Sequence, residues 1–145
     1  MPDWVSDGYR EYARRMPREC KLQLIELAPA QRSKTTNLER EIEEEGQRII
    51  KAIPNKCDII ALDVNGKNHS TESLANLMET WLHSGRDIAL LIGGADGLSK
   101  SCLSQANSKW SLSNLTFPHP LVRVIVAEQV YRAWSLMNNH PYHRA

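Results

Sequence analysis

DIALLIGGADG, residues 87–97, decides the class of fold: an unbroken apolar run, residues 88–92, is followed at once by Gly93, Gly94 and Gly97. A run this short, flanked by turn residues, predicts a central strand buried on both faces, as in parallel sheets. A second run of the same kind, DIIALD at residues 58–63, lies upstream. Between the two, Leu74, Leu77, Met78, Trp81 and Leu82 recur at helical spacing and stop near Gly85. Strand, helix, strand in that order predicts an α/β domain with a mainly parallel sheet.

Outward from this unit the elements are read in the same way. Val5, Tyr9, Tyr12 and Met16 predict an amphipathic helix directly after Pro2 and Asp3, and KLQLIEL at residues 21–27 alternates as a strand with one covered face does. Residues 28–37 read as a polar, cationic loop. Thr36 with Glu39 resembles a capping box for a helix carrying Leu38, Ile42, Ile49, Ile50 and Ile53, which Pro54 stops, and Glu43, Glu44 and Glu45 read as its solvated face. After the glycines a short helix is expected, then an extended segment, SLSNLTF, over residues 111–117. Pro118, His119 and Pro120 break the chain before a last helix whose apolar positions, from Leu121 to Met137, fill more than one face. Such a helix needs cover on two sides, and a second copy of the chain is the expected second cover. Of the four tryptophans, Trp81 and Trp134 fall on apolar helix faces and read as core.

With 145 residues the chain is read as one domain, residues 1–145. Eighteen basic against 17 acidic side chains give a net charge of +1, so any contact with nucleic acid must use a local patch. Cys20, Cys57 and Cys102 form no CxxC pair and lack neighbouring histidines, which predicts reduced, buried thiols and no metal site. No apolar stretch reaches the roughly 20 residues of a membrane span, and the N-terminal sequence lacks signal-peptide order, so a cytoplasmic protein is expected.

Chemistry is expected in two places. In open α/β sheets ligands bind beyond the carboxyl ends of the strands, where glycines admit close backbone approach. Leu62 and Asp63 end one predicted strand, Gly93 follows the other, and residues 112–117 add apolar side chains and free backbone groups, so these stretches suit an adenine pocket. The glycine spacing is neither the dinucleotide fingerprint nor a P-loop, which leaves a nucleotide-dependent oxidoreductase unsupported. The second place is the terminal NHPYHR, where Tyr142, His143 and Arg144 carry a stacking ring, a group that titrates near neutrality and a permanent cation. On the last helix Glu128 stands four residues before Arg132 as its partner, whereas Arg123 has no acidic residue at that spacing and is assigned to an interface or substrate. His69 and His83 read as surface residues. No hydrolase elbow, acidic pair or metal spacing occurs.

MPDWV, EYARRMP, LLIGGADGLS, WSLSNLTFPHPLVRVIVAEQVYRAWS and NHPYHR together resemble the ribosomal RNA large subunit methyltransferase H family, a small branch of the SPOUT methyltransferases, from end to end. The resemblance implies a homodimer of α/β subunits with a C-terminal knot, a rare exception to unknotted topology. It implies S-adenosylmethionine bound by Leu62, Gly93, Leu112, Ser113, Asn114, Leu115, Thr116 and Phe117, and methylation at nitrogen 3 of a pseudouridine in 23S ribosomal RNA on the assembled ribosome. Tyr142, His143 and Arg144 are the implied catalytic residues, with His143 assisting the ring proton and His119 shaping the pocket or meeting substrate. Family members begin with an apolar strand ahead of the position of Met1, so an N-terminally shortened form is expected. A dimer that binds the ribosome or RNA without turning over is the alternative.

Overall fold

The computed structural model describes residues 2–29 and 37–144, which divide into two compact units. The first comprises residues up to 24, 69–85 and 117 onward; the second comprises residues 25–68 and 86–116.

The first unit is helical. Helix α1 (Asp3–Ala13) opens with Asp3 in its first turn, where a carboxylate favours the positive end of the helix dipole. A short 3₁₀ turn, Arg18–Cys20, follows. Helix α3 (Thr71–Ser84) starts at Ser70, whose hydroxyl accepts from the Ser73 N–H at 3.0 Å, and stops at Gly85 in the left-handed region, φ +70°. Helix α5 (His119–Met137) carries Pro120 in its first turn. Both α1 and α3 pack against α5. Leu74, Ala75 and Met78 of α3, Val5 of α1 and Val126, Ala127, Val130, Tyr131 and Ala133 of α5 form the buried core. Gly8 lets α1 approach closely: a Cβ there would lie 3.3 Å from both Val124 methyls. Two covers for the apolar α5 thus come from its own chain, while residues 121–125 remain half-buried.

The end of α5 decides where the tail goes. Asn139 takes a left-handed φ of +55°, the His140 N–H donates to the Ser135 carbonyl at 2.8 Å, and the Asn139 N–H donates to Leu136 at 3.4 Å. This pair of bonds is the Schellman arrangement, with asparagine where glycine is commonest. It turns the chain back along α5. Asn139→Val is expected to lower stability by about 1–2 kcal/mol, the strain of a left-handed residue, measurable by urea unfolding, with Asn139→Gly close to the parent.

The second unit holds the sheet. Strand β1 (Cys57–Asn68) lies between β2 (Asp87–Leu91) and β3 (Ser108–Ser111), parallel to both. Cys57 to Ala61 pair with Asp87 to Leu91 in step, and Leu62 pairs with Trp110. The register with β3 then shifts so that Lys67 also meets Trp110. Gly66 lies at this shift, where a Cβ would stand 2.7 Å from the Lys109 carbonyl carbon, so only glycine fits without displacing backbone. Helix α2 (Leu38–Ala52) packs on α4 (Lys100–Gln105), and α4 in turn touches β1. Gly46 of α2 sits against the Ser99 side chain, and the Cys102 thiol donates to the Gly46 carbonyl at 3.4 Å.

Several expectations need correction. Residues 21–27 form no strand: burial alternates, with Leu22 and Leu24 half-buried between exposed Lys21 and Gln23, but no backbone ladder forms. A strand exists only with a paired neighbour, and the division between units falls inside this segment. The regular strand after α4 lies earlier than expected, at Ser108–Ser111, and residues 112–117 are irregular. There Ser111 Oγ donates to the Ser113 carbonyl at 2.9 Å and Ser113 Oγ accepts from the Leu115 N–H at 3.0 Å, local bonds that compete with a ladder. The capping box on Thr36 lies outside the described residues; Asn37 caps α2, its side chain accepting from the Glu39 N–H at 2.9 Å. Glu43 is not simply solvated, since it accepts from Ser101 Oγ at 2.6 Å. Trp110, 5% exposed, is the most deeply buried tryptophan, whereas Trp81 and Trp134 are half-buried and Trp4 is 59% exposed.

Candidate active site

The second unit gathers the strand ends. Leu62 and Asp63, expected to end their strand, lie inside β1, which runs on to Asn68; Leu62 is level with Trp110 on β3, and Ala61 beside it is level with Leu91 at the end of β2. Gly93 and the loop after β3 therefore leave the sheet at the same end. Gly93 is packed tightly: a Cβ would come 2.7 Å from the Leu98 nitrogen and 2.8 Å from the Gly97 carbonyl oxygen, both backbone atoms. The turn behind it is closed by a bridge between Gly94 and Gly97, with Gly97 at φ +83°. In the loop, Leu112 and Ser113 are half-buried, whereas Asn114, Leu115 and Thr116 are exposed, Leu115 by 69%. The exposed Leu115 gives an apolar surface that a flat heterocycle can cover. Phe117, with which the first unit resumes, is half-buried.

In the first unit the tail folds back onto α5. Tyr142 donates its hydroxyl to Glu128 Oε1 at 3.1 Å and stands edge-on to Tyr131, ring centres 4.7 Å apart. Arg132 binds Glu128 through Nε at 2.8 Å and a terminal nitrogen at 2.6 Å, and its guanidinium lies 4.9 Å from the Tyr142 ring centre. Arg15, just past the end of α1, sits over the rings of Tyr12, Tyr131 and Tyr142 at 5.4–5.9 Å. The Tyr131–Tyr142 and Arg132–Tyr142 contacts each contribute on the order of 1 kcal/mol.

His143 is enclosed, its side chain 11% exposed, although it lies two residues from the end of the chain. The other terminal nitrogen of Arg132 reaches its Nδ1 at 3.3 Å. A guanidinium has only donors, so Nδ1 must accept and the ring proton resides on Nε2. Nε2 is buried without a hydrogen-bond partner; the Glu72 carboxylate at 3.6 Å is beyond bonding reach. A buried donor left unpaired costs about 1–3 kcal/mol. Arg144 is exposed.

Burial, then the hydroxyl contacts with Tyr12 and Glu128, push the Tyr142 phenol well above its ordinary 10. Burial raises Tyr9 as well. A folded state that keeps a proton the unfolded chain gives up has its full advantage below about pH 10 and loses it as pH rises further. Stability is thus expected to fall as pH rises above about 10, and Tyr142→Phe to flatten that fall in chemical denaturation.

Of the remaining residues singled out by sequence, His119 and Arg123 lie at the start of α5, both half-buried. His83 is exposed as expected; its Nδ1 bonds the Glu79 carbonyl at 2.8 Å. His69 is half-buried, with Nδ1 3.0 Å from Ser73 Oγ, which corrects its assignment to the surface. All three cysteines are free, but only Cys102 is buried. Burial followed by an acidic neighbour, Glu19 for Cys20 and Asp87 for Cys57, raises the thiols of the other two, so they too are poor nucleophiles. Among the described residues no group of three or more His, Cys, Asp or Glu could hold a metal, and no helix is long and apolar enough to cross a membrane. Sequence spacing gave the Glu128–Arg132 pair but not its hold on Tyr142 and His143, nor the part played by Tyr12, Arg15 and Tyr131.

Comparison with known proteins identifies the family. A family described as "Predicted SPOUT methyltransferase" matches residues 1–143. Proteins named ribosomal RNA large subunit methyltransferase H are similar along their length: that of Methylococcus capsulatus is 58% identical, over 99% of this chain and 93% of its own. The one from Thioalkalivibrio sulfidiphilus is 55% identical over 99% and 92%, and that of Nitrosococcus oceani 51% over 100% and 92%. The chain belongs to the ribosomal RNA large subunit methyltransferase H family of SPOUT methyltransferases.

Proposed function

We propose that this protein methylates nitrogen 3 of a pseudouridine in 23S ribosomal RNA on the assembled ribosome, using S-adenosylmethionine and working as a homodimer. The observation that carries the reading is identity above half, over almost the whole length, to proteins named as methyltransferases of large-subunit ribosomal RNA. The half-buried residues 121–125 of α5 support a second copy as a further cover.

The cofactor assignment accords with the chemistry of the strand-end loop. Leu62, Leu112 and Leu115 supply apolar surface, residues 112–117 carry no charged side chain, and the backbone at Gly93 is held in one shape by its packing on Gly97 and Leu98. Leu62, Gly93, Ser113, Asn114, Thr116 and Phe117 complete the set that would hold it. Held there, S-adenosylmethionine would supply an activated methyl group for the ring nitrogen and would leave as a neutral thioether.

The protein's own tasks are to orient that nitrogen and to help it lose its proton, which passes to water. Of the groups held on α5, Tyr142 is assigned to stacking and His143 to assisting loss of the ring proton, and exposed Arg144 is assigned to a phosphate or to developing negative charge. His119 and Arg123 are assigned to substrate or to the partner copy. A net charge of +1 accords with a substrate recognised by shape and by a local surface of two subunits. The test is transfer of labelled methyl to ribosomes lacking the modification, compared with protein-free 23S RNA; label in the ribosomes is expected, and equal label in naked RNA would remove the assembled ribosome from the proposal.

A further inference from the structure

We infer that Arg132, anchored by Glu128, is a positioning residue that fixes His143 as a hydrogen-bond donor through Nε2, aimed at a carbonyl oxygen beside the nitrogen that is methylated. The inference rests on the methyl transfer proposed above and specifies how the tail serves it.

Three features carry it. Arg132 spends Nε and one terminal nitrogen on Glu128 and the other terminal nitrogen on His143 Nδ1, so the lone pair a general base would need is already occupied. Glu128 is itself held, since its second oxygen accepts from Gln129 Nε2 at 2.7 Å, and Gln129 Oε1 accepts from Thr71 Oγ1 of α3 at 3.2 Å. The guanidinium is therefore tied to two helices. Lastly, Nε2 carries the ring proton and is buried with no acceptor in bonding reach, the Glu72 carboxylate standing 3.6 Å away, and in native structures such an atom calls for a partner.

The substrate class supplies that partner. When a pyrimidine nitrogen flanked by two carbonyls gives up its proton, the negative charge spreads onto both oxygens. A fixed N–H directed at one of them stabilises the anion, and the proton itself goes to water. His143 thus assists ionisation without taking the proton. Arg132 and Glu128 touch no substrate atom in this scheme.

Two measurements test it. In the full-length chain with nitrogen-labelled histidine, the imidazole spectrum should show His143 as the Nε2–H tautomer, assigned by its loss in His143→Gln; an Nδ1–H tautomer would overturn the inference. This result does not depend on any enzymatic assay, so it separates failure of the inference from failure of the proposed reaction. For methyl transfer, glutamine places an N–H donor near the position of Nε2 but cannot act as a base at neutral pH. His143→Gln should stay within about tenfold of the parent, while His143→Ala falls about 10²–10³-fold. Equal losses in both would restore the base and sink the donor. Arg132→Gln should lower kcat with KM for ribosomes unchanged, and Arg132→Lys, which keeps one donor, should recover part of the loss; a rise in KM alone would make Arg132 a substrate contact.

Discussion

A chain ending at His140 is expected to bind S-adenosylmethionine with nearly parental affinity and to transfer methyl at less than about a hundredth of the parental rate. The split follows from where the groups lie. Of the residues proposed to hold the cofactor, Leu62 to Thr116 belong to the second unit, whereas Phe117 and the tail from Pro141 onward belong to the first. Removing Tyr142 and His143 deletes the edge-on contact with Tyr131, the guanidinium–ring contact with Arg132 and the hydroxyl bond to Glu128, but leaves the Glu128–Arg132 pair bonded. Helix α5 should therefore persist with a loss of about 1–3 kcal/mol. Calorimetric titration with cofactor and a single-turnover transfer assay read the two halves separately. Parallel loss of both would place the tail in cofactor binding.

Gly93→Ala is expected to abolish cofactor binding and to lower stability by about 1–3 kcal/mol. The added Cβ would lie 2.7 Å from the Leu98 nitrogen and 2.8 Å from the Gly97 oxygen. Neither atom belongs to a side chain that can swing away, so the turn closed by the Gly94–Gly97 bridge has to open. Gly94→Ala is the informative control, because its nearest neighbour is the flexible end of Glu45 at 3.2 Å. Thermal unfolding with and without cofactor separates the two effects: Gly93→Ala should melt lower and gain nothing from ligand, while Gly94→Ala should still gain.

Much of the architecture was legible in the sequence because it depends on signals within a few residues. The apolar runs at residues 58–63 and 87–92 became the paired strands β1 and β2, Gly85 ended α3, and the two prolines began α5 where expected. What failed depends on partners far away in sequence. KLQLIEL has the alternation of a strand and the matching alternation of burial, but alternation cannot show whether a backbone neighbour exists. SKWS, with one apolar residue, gives little sign of β3, yet it pairs with β1 and buries Trp110. The tail is the clearest case. NHPYHR announced ionisable and aromatic groups, but residue types at a chain end do not show whether the segment folds back. Asn139 in the left-handed region turns it back, so His143 ends up more enclosed than many residues in the middle of the chain. An asparagine there reads as ordinary loop, and the tautomer of His143 follows only once Arg132 is seen to face Nδ1.

The central claim meets its most direct test in the identity of the product. Ribosomes from cells lacking the modification, incubated with this protein and S-adenosylmethionine bearing a labelled methyl, can be digested to nucleosides and separated by mass. The account predicts label in one nucleoside of 23S RNA, a pseudouridine methylated at nitrogen 3. Label in any other nucleoside, or none from a protein that demonstrably binds the cofactor, would contradict it.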